Sequence, residues 1–195
     1  GIQNIAVGYG TLKTNTIGGD NIAMGFKALC TNSTGCRNIA IGSDALLCVS
    51  TGSGNVGIGT CAGRRVTGGS GIYIGNFAAR NMNSAGGSNV FIGASAASSN
   101  DNIGSNNTGV GASVLGGLGT GNHNTAIGRY AGYNISTGCY NIGIGESGLG
   151  YAFSGTDLTG NNNIGIGFQT GHCISSGYDN ILVGCEAGKV ISTGS

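Results

Sequence analysis

The 195-residue chain carries 43 glycines, no proline and a formal net charge of +1, with charged residues making up only 8% of it. So much glycine without a collagen triplet excludes a triple helix, and the 39% of hydrophobic residues, recurring at fixed positions, exclude a disordered chain. Nothing in the charge balance attracts nucleic acid or an anionic membrane, and no apolar run reaches the length of a membrane span, so neither partner is expected.

One skeleton, T-G-x-x-N-I-x-I-G, fills the sequence and is clearest from Thr137 to Gly145. Its closing glycine falls at Gly8, Gly25, Gly42, Gly59, Gly75, Gly93, Gly111, Gly128, Gly145, Gly167 and Gly184, with spacings of 17, 17, 17, 16, 18, 18, 17, 17, 22 and 17. A fixed short period is the mark of a repeat architecture. Eleven copies leave no residues for a second domain, so residues 1–195 read as one repeat domain. Both ends fall in phase with the repeat and no capping unit is visible, so the chain is expected to be part of a longer one.

Counting from the repeat asparagine as zero, the first three units read Asn4-Ile5-Ala6-Val7-Gly8, Asn21-Ile22-Ala23-Met24-Gly25 and Asn38-Ile39-Ala40-Ile41-Gly42. Offsets 1 and 3 are large and apolar, and offset 2 is small. Side chains alternate across a strand, so offsets 1 and 3 are expected to face the interior and offset 2 the outside. The fifth unit, Gly71-Ile72-Tyr73-Ile74-Gly75, lacks its asparagine, and the sixth is Asn89-Val90-Phe91-Ile92-Gly93. Tyr73 and Phe91 are therefore expected side by side on the outer face, as a candidate interface or binding pair.

The later units follow Asn107, Asn124, Asn141, Asn163 and Asn180. The segment from the T-G glycine to the closing glycine keeps its length, and the variation falls in the other arc, which reaches fifteen residues between Gly145 and Gly160. Insertions in repeats collect on one face, often the binding face, which makes the turn 146–160, with Tyr151, Phe153, Thr156 and Asp157, a candidate protrusion.

Each unit thus offers one strand, a second apolar patch near offsets 7, 8 and 11 (Ala28, Leu29; Ala45, Leu46; Ala131, Ile135) and glycine corners at offsets 4 and 14. One unit buries almost nothing alone; stacked at about 4.8 Å per turn, the units share a continuous core. The expected fold is all-β, a parallel β-solenoid of about eleven turns with a 17-residue repeat. The column Asn4, Asn21, Asn38, Asn55, Asn89, Asn107, Asn124, Asn141, Asn163 and Asn180 is expected to form a hydrogen-bonded ladder along the axis. The unit N-x-A-x-G-x-x-A-x-x-x-x-x-T-G, from Asn38 to Gly52 and from Asn124 to Gly138, resembles repeats of phage and viral tail-fibre proteins and the head repeats of trimeric autotransporter adhesins. The resemblance implies left-handed parallel β-rolls joined as trimers.

The seven cysteines do not fall in one common column, so a regular disulfide ladder is excluded, but Cys30 and Cys48 lie at offsets 9 and 10 of adjacent turns and can be bridged. No C-x-x-C or Cys/His spacing suggests zinc, the acidic residues do not occupy one common column as a calcium-binding roll requires, and no cofactor or metal is expected. Gly143 to Gly148 matches G-x-G-x-x-G, but here it is one copy of the repeat rather than a strand-to-helix turn. His123 and His172 lie on different turns at unrelated offsets, and no Ser/His/Asp pattern accompanies them, so an enzyme is not expected. The expected function is a structural fibre or adhesin segment, extracellular or on a virion, that spaces or presents a surface for a receptor or glycan. Its expected partner is itself, as a trimer or filament, through the flat Ala/Gly face. The alternative is an ice-binding solenoid, suggested by the column Thr34, Thr51, Thr67, Thr120, Thr137, Thr159 and Thr193, which Ile17, Ala85, Ile103 and Ser176 interrupt.

Overall fold

The computed structural model describes residues 1–83, 87–98, 103–150, 157–189 and 193. The expected architecture is present: the chain is a β-solenoid, and the strands among the described residues form a single parallel sheet of eleven, stacked in sequence order. They are β1 (Ile5–Val7), β2 (Ile22–Met24), β3 (Ile39–Ile41), β4 (Val56–Ile58), β5 (Ile72–Ile74), β6 (Val90–Ile92), β7 (Thr108–Val110), β8 (Thr125–Ile127), β9 (Ile142–Ile144), β10 (Ile164–Ile166) and β11 (Ile181–Val183). Register is strict, with Ile22 beside Ile39, Ala23 beside Ala40 and Met24 beside Ile41. At about 4.8 Å per strand the sheet runs for roughly 50 Å.

The second apolar patch makes no regular strand, yet its backbone also bonds from turn to turn, as in Leu29 N–H to Ala45 O (3.1 Å) and Leu46 N–H to Ala62 O (2.9 Å). After the long arc the chain is back in register at Leu158, which bridges in parallel to Ile135.

The facing of the strands is the reverse of the expectation. Offset 2 points inward: Ala23, Ala40, Tyr73, Phe91 and Ala126 are all buried. Offsets 1 and 3 point outward, half-buried or exposed, with Met24 at 41% and Ile41 at 38%. The reason is the thinness of the body. Opposite the strand, the second patch sends in Ala28, Leu29, Ala45, Leu46, Leu115 and Leu149, all fully buried. These side chains leave room for little more than a methyl group. A Cβ added to Gly57, at offset 2, would come within 2.7 Å of Leu46 Cγ.

The corners depend on backbone conformations that ordinary residues resist. The closing glycine is extended at positive φ, as at Gly25 (+132°), and a Cβ there would stand 2.6 Å from the carbonyl oxygen of Gly42 in the next turn. Other left-handed positions carry full side chains: Asp20 (60°), Arg37 (58°), His123 (58°) and Tyr140 (58°) precede the asparagine column, and Leu29 (48°), Leu46 (48°) and Leu115 (51°) point into the core. Each costs on the order of 1 kcal/mol, and the hydrogen bonds between turns and the burial of the leucines offset that cost.

Candidate functional site

The expected asparagine column lies inside the body and is bonded from turn to turn on both sides of Gly71, which has no side chain to continue it. The Asn55 backbone N–H donates to Asn38 Oδ1 (2.9 Å), Asn55 Nδ2 donates to the same oxygen (3.1 Å), and Asn38 Nδ2 donates to Gly52 O (2.9 Å). The pattern recurs from Asn4 with Asn21, through Asn89 with Asn107 and Asn107 with Asn124, to Asn141 with Asn163 and Asn163 with Asn180. Each side chain thus ties the neighbouring strand to its own turn's T-G corner. The column is a spine, closed to ligands.

A parallel ladder two residues earlier escaped the sequence reading. Here a side chain accepts the backbone N–H of the preceding turn: Cys36 N–H donates to Ser53 Oγ (3.0 Å), Ser105 N–H to Asn122 Oδ1 (2.7 Å) and Cys139 N–H to Asn161 Oδ1 (2.8 Å). Cys36 and Cys139 serve the same column, their Sγ atoms accepting from Gly19 N–H and Asn122 N–H at 3.3 Å. The sequence signal was the recurrence of small polar residues and cysteine just after the T-G glycine.

Tyr73 and Phe91 do not form an outer pair. They are 1% and 0% exposed, with ring centroids 6.3 Å apart inside the core, and burial pushes the Tyr73 phenol well above its usual range. The missing asparagine at Gly71 follows from this: a Cβ there would lie 2.0 Å from the Tyr73 hydroxyl oxygen. Tyr151, Phe153 and Thr156 lie outside the described residues, and Asp157 is exposed. Thr34, Thr51, Thr67, Thr120, Thr137 and Thr159 are exposed, but Ile103 in the same column is buried. His123 stacks on Tyr140 (4.8 Å between centroids, 2° between planes), and His172 Nδ1 lies 3.3 Å from Cys173 Sγ. Among the described residues no three His, Cys, Asp or Glu side chains gather as a metal site, and no helix is long and apolar enough to cross a membrane.

Two surfaces remain as candidates. The first is the outer face of the sheet. Its strands read IAV, IAM, IAI, VGI, IYI, VFI, TGV, TAI, IGI, IGI and ILV, so both outward columns are free of charge over all eleven turns. Such a face measures on the order of 500 Å² in projection, near the upper end of what monomeric proteins leave open. The second is a groove of about 670 Å³ over the first three turns, bordered by Tyr9, Lys13, Phe26, Lys27, Leu47 and Cys48. Cys30 also lines it, and Cys30 and Cys48 are free thiols.

No family model, curated protein or solved structure matches this chain.

Proposed function

We propose that the chain is a segment of a structural fibre or adhesin, extracellular or on a virion surface, whose rod spaces or presents a receptor-binding surface. Copies associate as a trimer or filament through the outward isoleucine and valine columns. This replaces the Ala/Gly face, which is interior. One observation carries the reading: an uncharged outer face, apolar except at Thr108 and Thr125, continues over all eleven strands. Apolar area on that scale is stabilised by removal from water, and a second copy presents the same spacing of side chains in register. The resemblance of the repeat unit to tail-fibre and adhesin head repeats supports the same reading. So does the monotony of the turns, which offer one set of side chains again and again rather than a converging set for chemistry.

Light scattering combined with small-angle X-ray scattering tests it. A mass that is a multiple of 19.0 kDa, with an elongated profile, is expected. A species that stays at 19.0 kDa as concentration rises would overturn the reading. The same face favours a second reading, ice binding, because a flat array repeating about every 4.8 Å can order water. Thermal hysteresis from a stable monomer would select that reading over assembly.

A further inference from the structure

We infer that the groove over the first three turns is a binding site for a carboxylated pyranose, a sugar of the uronate or sialate class. The inference names the ligand class for a rod that presents a binding surface, and it rests on that reading for its setting. Three observations meet in this groove. First, it is an open concavity of about 670 Å³, inside the ordinary size range of small-molecule sites.

Second, one wall is aromatic. Tyr9 and Phe26 stand one turn apart with centroids 5.7 Å apart and planes within 14° of each other. They remain 77% and 48% exposed. Large rings left this open in an ordered stack offer an apolar wall for the C–H face of a sugar ring, and Leu47 extends it.

Third, the charge is of one sign. Lys13 and Lys27 line the groove, and no carboxylate does. The described ion pairs engage Asp44 with Arg64, Glu146 with Arg129 and Glu186 with Lys189, so Lys13 and Lys27 have no acidic partner among the described residues. Lys27 Nζ is held 5.0 Å from the Phe26 ring centroid, which places an ammonium beside the apolar wall. An apolar wall with two ammoniums and no acid selects a ligand with an apolar face and a single anionic group. Two lysines in a short groove do not make the long basic track that a nucleic acid strand needs.

The test is calorimetric titration of the full chain with 3′-sialyllactose and with glucuronic acid, against lactose as the neutral sugar and acetate as the bare anion. At least one of the two acidic sugars is expected to bind, and which one distinguishes sialate from uronate. Lactose and acetate are expected to bind at least about tenfold more weakly, since each lacks one half of the recognition. Lys13→Gln/Lys27→Gln is expected to lose about tenfold in affinity, and Phe26→Ala to lose binding with the circular dichroism spectrum unchanged. Saturating sugar should slow alkylation of Cys48, read by peptide mass, and leave Cys185 unaffected. Absence of binding by both acidic sugars, equal binding of lactose, or unchanged affinity in the lysine variant would overturn the proposal. Light scattering on the same samples separates the two failures: an assembled rod that ignores acidic sugars sinks the site alone, and a monomer that binds them sinks the fibre alone.

Discussion

The turn that begins at Asn38 and the turn that begins at Gly71 solve the same packing problem in opposite ways. In the first, a small residue at offset 2, Ala40, leaves space for the Asn38 side chain to bond both neighbouring turns. In the second, Tyr73 fills the interior with an aromatic ring, its hydroxyl takes the space a side chain at 71 would need, and the unit carries glycine there. The spine tolerates the gap because Asn55 Oδ1 still accepts the Gly71 N–H (3.1 Å). The lesson is that the tyrosine hydroxyl, and not a large residue at offset 2 as such, displaces the asparagine, since the next unit buries Asn89 beside Phe91, whose ring lacks that oxygen.

Breaking the regular turn should have the largest effect on stability. Asn38→Ala removes the acceptor of Asn55 N–H and the donor to Gly52 O and to Asn21 Oδ1, all in a buried setting. A loss of about 3 to 5 kcal/mol is expected, read from the urea midpoint of the turns around it.

A double-mutant cycle in the irregular turn measures how far positions 71 and 73 are coupled. Gly71→Asn alone collides with the tyrosine, and Tyr73→Ala alone leaves a cavity; together they recreate the Asn38 pattern. The pair should be more stable than the sum of the single changes by about 1 to 3 kcal/mol. Additive losses would mean the two positions do not share space.

Tyr73 also marks its turn in alkali. Its folded-state phenol loses a proton at a higher pH than the unfolded one, so the unfolded state binds fewer protons above about pH 10. Stability is therefore unaffected below that value and falls as pH rises past it, by up to about 1.4 kcal/mol per pH unit. Tyr73→Phe should remove that part of the slope, seen in denaturant midpoints across alkaline pH.

The smallest effect belongs to the outer ladders. Arg129 bonds Glu146 of the next turn, and the carboxylate holds the guanidinium above its usual range, but both are well exposed. Arg129→Gln should leave the thermal midpoint unchanged at moderate salt, in contrast to the buried rung at Asn38.

The period of the repeat, the strand that follows each asparagine, the glycine at offset 4 and the asparagine column were all legible in the sequence, because each recurs at one fixed offset. Facing was not legible in the same way. Alternation places Ile39 and Ile41 opposite Ala40, and it does not say which side is the interior; hydrophobicity points to the isoleucines, and the narrow cross-section filled by Leu29 and Leu46 overrules it. One clue was present in the letters. The only unit to lose its asparagine is the one whose offset 2 becomes tyrosine, which is how residues sharing a pocket behave. The left-handed positions at Asp20, Arg37 and His123 gave no such clue, since three unrelated side chains occupy them. The groove was invisible because Tyr9, Lys13, Phe26 and Leu47 belong to different offsets of different turns and meet only when the turns stack.

The outward apolar face is the central claim, and it is tested most directly by the mass of Ile41→Lys/Ile58→Lys/Ile74→Lys beside that of the unaltered chain, measured by light scattering at equal concentration. These positions lie on the outer face of three consecutive turns. The unaltered chain is expected to be a multimer, and the variant a 19.0 kDa monomer with the same circular dichroism spectrum. A variant that unfolds, or one that assembles as the unaltered chain does, would contradict it: the first would return the isoleucines to the core, and the second would place the contact elsewhere.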